Sequence, residues 1–483
     1  MTVLRPARAV WLASAAYAVV LSWSAIHRHH IFQSGGYDLG IFDQATWLMG
    51  HGLRPFSTIR GRYLLADHFQ PALYLLAPLG RLGLSPVGLL VLQSVLLAAA
   101  APLLYRLALG HGATRRLALA VSLMWLASPL TQWANLFDFH PETAVPLLLV
   151  AGALLLEQNR LGLFAVTAVV ASSTKEDVCL VYAIWGLLLA VQHRSSLRRF
   201  GVLLAAAGIA WFVLATQVAI PALGGNLNFY SQRFGGERGS SIGAVAAYLI
   251  NHPAASFDQL ATSANAKILI ALVVCTGGLA LAAPRLLALA VPGLAANLLS
   301  AYSYQHDLHF HYQLVPAAGF ALASAAGAGV VSARLGGRPR DALALTLLLG
   351  VAAATVVSPS VRGLLQSGNS ATLAAKRQAL SLVPRGVPVA AAPDLVPHLS
   401  HRRAIYQLPE PFFARHGNGE YWTDGQLARR SRSVAYVVID LDSLDPFPRE
   451  QTSRLPALLP RRGFVQVFRR GDIRVFKRVE KGP

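Results

Sequence analysis

Long apolar runs separated by short polar and basic segments dominate the chain up to residue 357. About eleven of them reach or approach the roughly 20 residues a helix needs to cross a bilayer. They cover 9–27, 85–109, 117–134, 141–157, 160–173, 178–192, 200–220, 266–283, 285–301, 313–333 and 341–357. The first run follows Arg5 and Arg8, as in a signal peptide, but it is long and lacks a small-residue cleavage site, so it predicts a retained helix. Two segments between runs are long. Residues 28–84 contain amphipathic stretches at 41–49 and 69–79 suited to a membrane interface, and 221–264 reads as a partly flexible loop rich in Gly, Asn and Ser.

The pattern changes near residue 358. Segments 387–391, 404–408 and 434–439 read as strands, and 464–469 and 473–477 flank Gly471-Asp472 as a hairpin. Helical stretches near 370–382 and 452–460 separate them. The expected organisation is a multi-span domain over 1–357 and a small α/β domain over 358–483.

Composition excludes a water-soluble globule or a disordered chain, since 54% of residues are hydrophobic and only 13% charged. The net charge of +20 sits mostly in short clusters between apolar runs, which reports topology rather than nucleic-acid binding. With the N-terminus in the cytoplasm, inner segments hold Arg5, Arg8, Arg115, Arg116, Arg198, Arg199, Arg338 and Arg340, with Glu157 and Asp341 as their only acids. The other ten acids before residue 358 fall outside: Asp38, Asp43, Asp67, Asp138, Glu142, Glu176, Asp177, Glu237, Asp258 and Asp307. An odd number of spans then leaves the C-terminal domain outside the cytoplasmic membrane. Cys179 and Cys275 both lie inside apolar runs, so neither a disulfide framework nor a cysteine zinc site is available.

Five polar clusters share the outer side. Asp38 and Asp43 lie just past the first run, where Asp38 also suits a helix N-cap. Asp67-His68 follows in the same loop, with Arg60 and Arg62 before it. Asp138, His140 and Glu142 form a compact set of hard ligands or acid/base groups, or a turn before a helix at Pro141. Lys175-Glu176-Asp177 can neutralise a lipid-linked phosphate or satisfy itself as an ion cluster. His306, Asp307, His309, His311 and Tyr312 form the last, a possible zinc or manganese set. Gathered in one outward cavity, these groups suit chemistry on a polar group carried on a lipid phosphate, transport or flipping of a lipid-linked or small polar solute, or metal or ligand binding without catalysis.

The ordered motifs YDLGIFDQxxW (37–47), DHFxP (67–71), FHPE (139–142), KED (175–177) and HxHY (309–312) resemble a family of predicted bacterial membrane proteins. That family is known only as a domain of unknown function, number two thousand and seventy-nine; PHLSHR (397–402) also looks familial. The family in turn resembles the C-type (GT-C) glycosyltransferases, multi-span enzymes that use polyprenyl-phosphate-linked sugars. The resemblance implies Asp38 or Asp43 as general base. It implies phosphate or substrate binding by Arg60, Arg62, Lys175, Glu176, Asp177, His306, His309, His311 and Tyr312. A divalent cation, Mg or Mn, would sit among Asp67, His68, Asp138, His140 and Glu142. Many superfamily members carry adjacent acids in the first loop; here Asp38 and Asp43 are separated, so the base stays open between them. Membrane lipids and a polyprenyl-phosphate sugar are the expected partners, and nucleic acid is not.

Overall fold

The structure is a computed structural model that describes residues 4–225, 233–234, 242–359, 363, 366–413, 423–443 and 453–479. Glu237 lies outside the described residues. The chain forms two compact units that do not follow chain order. One comprises Met1–Ala25, Leu65–Leu73 and Leu90–Leu365; the other comprises Ile26–Leu64, Tyr74–Leu89 and Gln366–Pro483. The segment 28–84, expected with the spans, is therefore divided, and most of it belongs with the C-terminal α/β part.

The first unit is helical. Among the described residues six helices are long and apolar enough to cross a membrane, or seven if the bent pair Pro253–Leu260 and Ser263–Cys275 counts as one span. The runs at 141–157, 160–173, 178–192 and 285–301 form shorter helices, Val145–Glu157, Leu161–Ser172, Cys179–Ala190 and Pro284–Leu298. A helix of about 12 residues is only about 18 Å long, against a hydrocarbon core of about 30 Å. The charged and proline-bearing stretches at 138–142 and 174–178 are what shorten these elements, because they leave the helix and turn. The stretch expected as loop at 221–264 also contains the helices Ile242–Asn251 and Pro253–Leu260. Its apolar side chains, such as Leu249 and Phe257, fall at helical spacing.

Helix His311–Arg334 is the central element of this unit, with 83% of its most apolar window buried. Small residues permit this; a Cβ on Gly327 would lie 1.9 Å from the Leu279 carbonyl oxygen. Gly337–Val356 is the opposite case, with only 6% of that window buried. Its exposed leucines, and Trp11, Leu12, Val19 and Trp23 on Pro6–His30, form apolar surface of the kind lipid covers.

The second unit is built on a five-stranded sheet. Its strands are β3 (Val389–Ala391), β4 (Ile405–Gln407), β5 (Tyr436–Asp440), β6 (Phe464–Arg470) and β7 (Ile473–Arg478), after a small hairpin of β1 (Phe56–Ser57) and β2 (Arg62–Tyr63). The order is β4-β3-β5-β7-β6, with β3 parallel to β4 and β5, and β7 antiparallel to β5 and β6. These are the five segments read as strands from the sequence. The helix Ser370–Ser381, capped by the Asn369 side chain, places Lys376 between Asp394 and Asp440 at the carboxyl ends of β3 and β5. Helix Ile41–Gly50 belongs here too. It does not lie on a membrane interface, because eight of its ten residues are buried in this unit. Asp38 is not its N-cap: a single wide turn, Gly36–Gly40, precedes the helix and places Gly40 at that position.

Candidate functional site

Three polar clusters of the first unit meet where helices stop. Lys175, Glu176 and Asp177 occupy the break between Leu161–Ser172 and Cys179–Ala190, so the charges sit between helices instead of inside one. Glu176 is fully buried. Its Oε1 accepts a hydrogen bond from His68 Nδ1 at 2.8 Å, and its Oε2 accepts one from the Phe69 backbone N–H at 2.9 Å. Burial pushes the Glu176 carboxyl up, but His68 and Lys175 outweigh it and hold it low. Burial pushes His68 down, and Glu176 outweighs that to raise it.

These directions predict a pH window. A raised His68 stabilises the pair fully below its unfolded value of about 6.5, and that contribution is lost as pH rises through the folded value. A lowered Glu176 contributes above its unfolded value of about 4.3 and is lost as pH falls through its folded value. The Phe69 amide, corrected for intrinsic exchange, should therefore be best protected from hydrogen exchange between about pH 4.5 and 6.5. Protection that stays level up to about pH 9 would show that the ion pair does not hold this segment.

Lys175 Nζ lies 3.1 Å from Glu142 Oε1 and 3.7 Å from Asp177 Oδ2. Burial alone would strip its proton, but Asp177 and Glu142 more than offset this and keep the ammonium charged. His140 is fixed by its backbone N–H to Gln93 Oε1 at 3.1 Å and by Nδ1 donating to the Asp138 carbonyl at 3.1 Å. Its ring stacks on His311 with centroids 3.4 Å apart. Glu142, Lys175, Asp177, Asn297, His311 and Tyr312 form the polar end of a small cleft of about 30 Å³. Val178, Val181, Pro292, Ala296 and Val315 form its apolar wall. Glu142 Oε2 and His311 Nδ1 are buried there with no hydrogen-bond partner among the described residues. The arrangement suits an amphiphile with a small polar head capable of taking and giving hydrogen bonds.

Other expected site residues lie elsewhere. The histidine motif is divided rather than gathered. His306 is held by Asn265 Oδ1 at 2.7 Å and the Ser300 carbonyl at 2.8 Å. His309 pairs at the surface with Asp307 at 2.6 Å. Only His311 and Tyr312 reach the cleft. Alternate residues of an irregular segment point apart, so spacing in sequence does not translate into one ligand set. Asp67 is half-buried next to His68. Asp38, Asp43, Arg60 and Arg62 belong to the second unit. There Asp43 is fully buried and accepts hydrogen bonds from Ser400 Oγ and from His401 Nε2, the latter at 3.1 Å. Tyr37 donates to Glu410 Oε1 at 3.2 Å, and the Arg60 guanidinium stands 5.9 Å from the Tyr37 ring centre. Asp38 is half-buried in the turn, and Arg62 is half-buried in β2.

Of the residues expected around a divalent ion, Glu142 already pairs with Lys175 and His68 with Glu176. Glu142 and Asp177 flank the Lys175 ammonium, and both oxygens of Glu176 are committed to His68 and Phe69. Among the described residues no group of three or more His, Cys, Asp or Glu stands close enough to hold an ion. The fixed cation of the site is Lys175. Sequence reasoning missed Arg233, which is buried, donates from Nε to Gln305 Oε1 at 3.0 Å and opposes the charge of Lys175. An arginine in a Gly-rich segment without periodicity offers no signal. Ser400 and His401 did have one, in PHLSHR at 397–402.

These helices define the fold of a polytopic membrane protein. Crystal structures of ArnT from Cupriavidus metallidurans share that fold. The form bound to undecaprenyl phosphate has a TM-score of 0.51 at 12% identity, over 98% of this chain and 99% of that one. The apo form has a TM-score of 0.53 at 15% identity, over 97% and 98%. The chain belongs to the family described as predicted membrane protein (DUF2079), whose pattern matches residues 28–457. No curated protein matches it in sequence.

Proposed function

We propose that the protein is a membrane glycosyltransferase that moves a sugar from a polyprenyl-phosphate donor to an acceptor at the outer face of the cytoplasmic membrane. The observation that carries this is the cleft of the first unit, where a buried, charged lysine and two unpartnered polar atoms adjoin an apolar wall between helices. The likeness in fold to ArnT, solved with undecaprenyl phosphate, supports the same reading. The lipid chain lies along Val178, Val181 and Val315, and the phosphate meets Lys175 and His311 Nδ1. In the reaction the bond between the anomeric carbon and the phosphate oxygen breaks, and its electron pair leaves with the phosphate. The acceptor oxygen bonds the anomeric carbon, and its proton passes to a carboxylate base. Lys175 offsets the charge that develops on the leaving group. Asp38 and Asp43, the acids of the first motif, stay the two candidates for that base. The N-terminus faces the cytoplasm and the C-terminal α/β part faces outward in this reading, which the arginines between apolar runs support.

The test uses the purified full-length protein in liposomes. Undecaprenyl phosphate is expected to bind saturably, and labelled sugar on a polyprenyl phosphate is expected to pass to acceptors in added membranes. Protein that neither binds the lipid nor releases it from any such donor would end this reading.

A further inference from the structure

The two edges of the five-stranded sheet are treated differently. At β4 the outward backbone is occupied, because the Thr58 hydroxyl donates to the Ile405 carbonyl at 2.5 Å and the Ile405 N–H donates back at 2.8 Å. At the other edge, among the described residues, β6 pairs only with β7. Of its seven residues only Phe464 is buried, and Val465 and Val467 are exposed. An uncovered edge of this length is an adhesive surface that folded proteins normally protect.

Charge marks what β6 meets. Residues 453–479 hold eight Lys and Arg against one acid, Asp472. Arg461 and Arg462, where the helix Leu455–Arg461 gives way to the strand, are exposed, as are Arg469 and Arg470 at the far end and Lys477 on β7. Cations thus flank both ends of a strand whose middle offers two valines. Arginine at this density repels a second copy of the same edge, so self-pairing is disfavoured. The pattern matches a surface with dense negative charge and shallow apolar depth, and the chain is anchored in such a surface by its spans.

We infer that β6 and its flanking arginines dock the second unit onto anionic phospholipid headgroups, with Val465 and Val467 entering the interface. This contact is separate from the lipid-phosphate cleft and does not depend on transferase activity.

The experiment follows hydrogen exchange of residues 464–470 in the full-length protein in nanodiscs. One set contains phosphatidylcholine only and the other a substantial share of phosphatidylglycerol. Exchange in β6 should be about tenfold slower in the anionic discs and return to the neutral-disc rate in high salt. The combined change Arg461→Gln, Arg462→Gln, Arg469→Gln and Arg470→Gln should abolish the difference while protection of β5 stays as in wild type. Equal β6 exchange in both kinds of disc would overturn the inference. So would protection that arises only when an acidic protein is added, since β6 would then be a strand-pairing edge. If the quadruple variant loses β5 protection, the wild-type comparison and its salt dependence alone decide the matter.

Discussion

Replacing Lys175 with Met is expected to weaken undecaprenyl phosphate binding by about tenfold to a hundredfold, the value of one charge-assisted hydrogen bond lost. The same change should cost about 3–5 kcal/mol of stability, because it leaves Glu142 and Asp177 without their counter-charge. Both effects arise from one geometry: Nζ is 3.1 Å from Glu142 Oε1 and largely buried. They separate in a second variant. Lys175→Met with Glu142→Gln removes the buried uncompensated charge, so thermal stability in detergent should recover most of the loss, while lipid binding stays weak. Recovery of binding together with stability would show that Lys175 serves the fold and not the phosphate.

Asp38→Ala and Asp43→Ala should part company in the same way. Loss of a general base typically lowers rate about 10²–10⁴-fold, the drop expected of Asp38→Ala in transfer from a polyprenyl-phosphate donor at unchanged undecaprenyl phosphate affinity. Asp43→Ala is expected to act on the fold. It removes one hydrogen bond each from the Ser400 hydroxyl, which keeps the Pro397 carbonyl, and from His401, which keeps Ser85 Oγ, at about 0.5–1.5 kcal/mol per bond. Asp43→Asn keeps the shape and an acceptor oxygen and should recover part of that loss. Full transfer by Asp38→Ala, measured on polyprenyl-phosphate donors, would remove it from the mechanism. If transfer is lost only in Asp43→Ala while its stability is normal, the two roles are exchanged.

Much of the architecture was legible along the chain. Apolar runs mark helices because each buries its own backbone hydrogen bonds in an environment without water. Alternation and β-branched residues mark the five strands of the tail because one face of a sheet must be covered. The motif series pointed to the family whose pattern matches the chain, and KED at 175–177 supplies the lysine that lines the cleft. Run length proved a poor guide to spans. Stretches such as 141–157 and 160–173 lose residues to the polar turns beside them, which hydropathy averages away.

From the sequence alone follow the membrane class, the helical character of the runs, the strand segments and the identity of the ionisable groups. These are local or compositional properties, carried by the spacing of side chains along a few turns. The partners of those groups required the folded chain. Asp43 meets Ser400 and His401, and Glu176 meets His68, across more than 100 positions in each case. The histidines at 306, 309 and 311, adjacent in sequence, disperse to three surroundings. A carboxylate carries no label for its partner. Which cation, hydroxyl or imidazole it meets depends on how helices and strands pack, and that packing answers to the whole apolar pattern rather than to the neighbours in the chain.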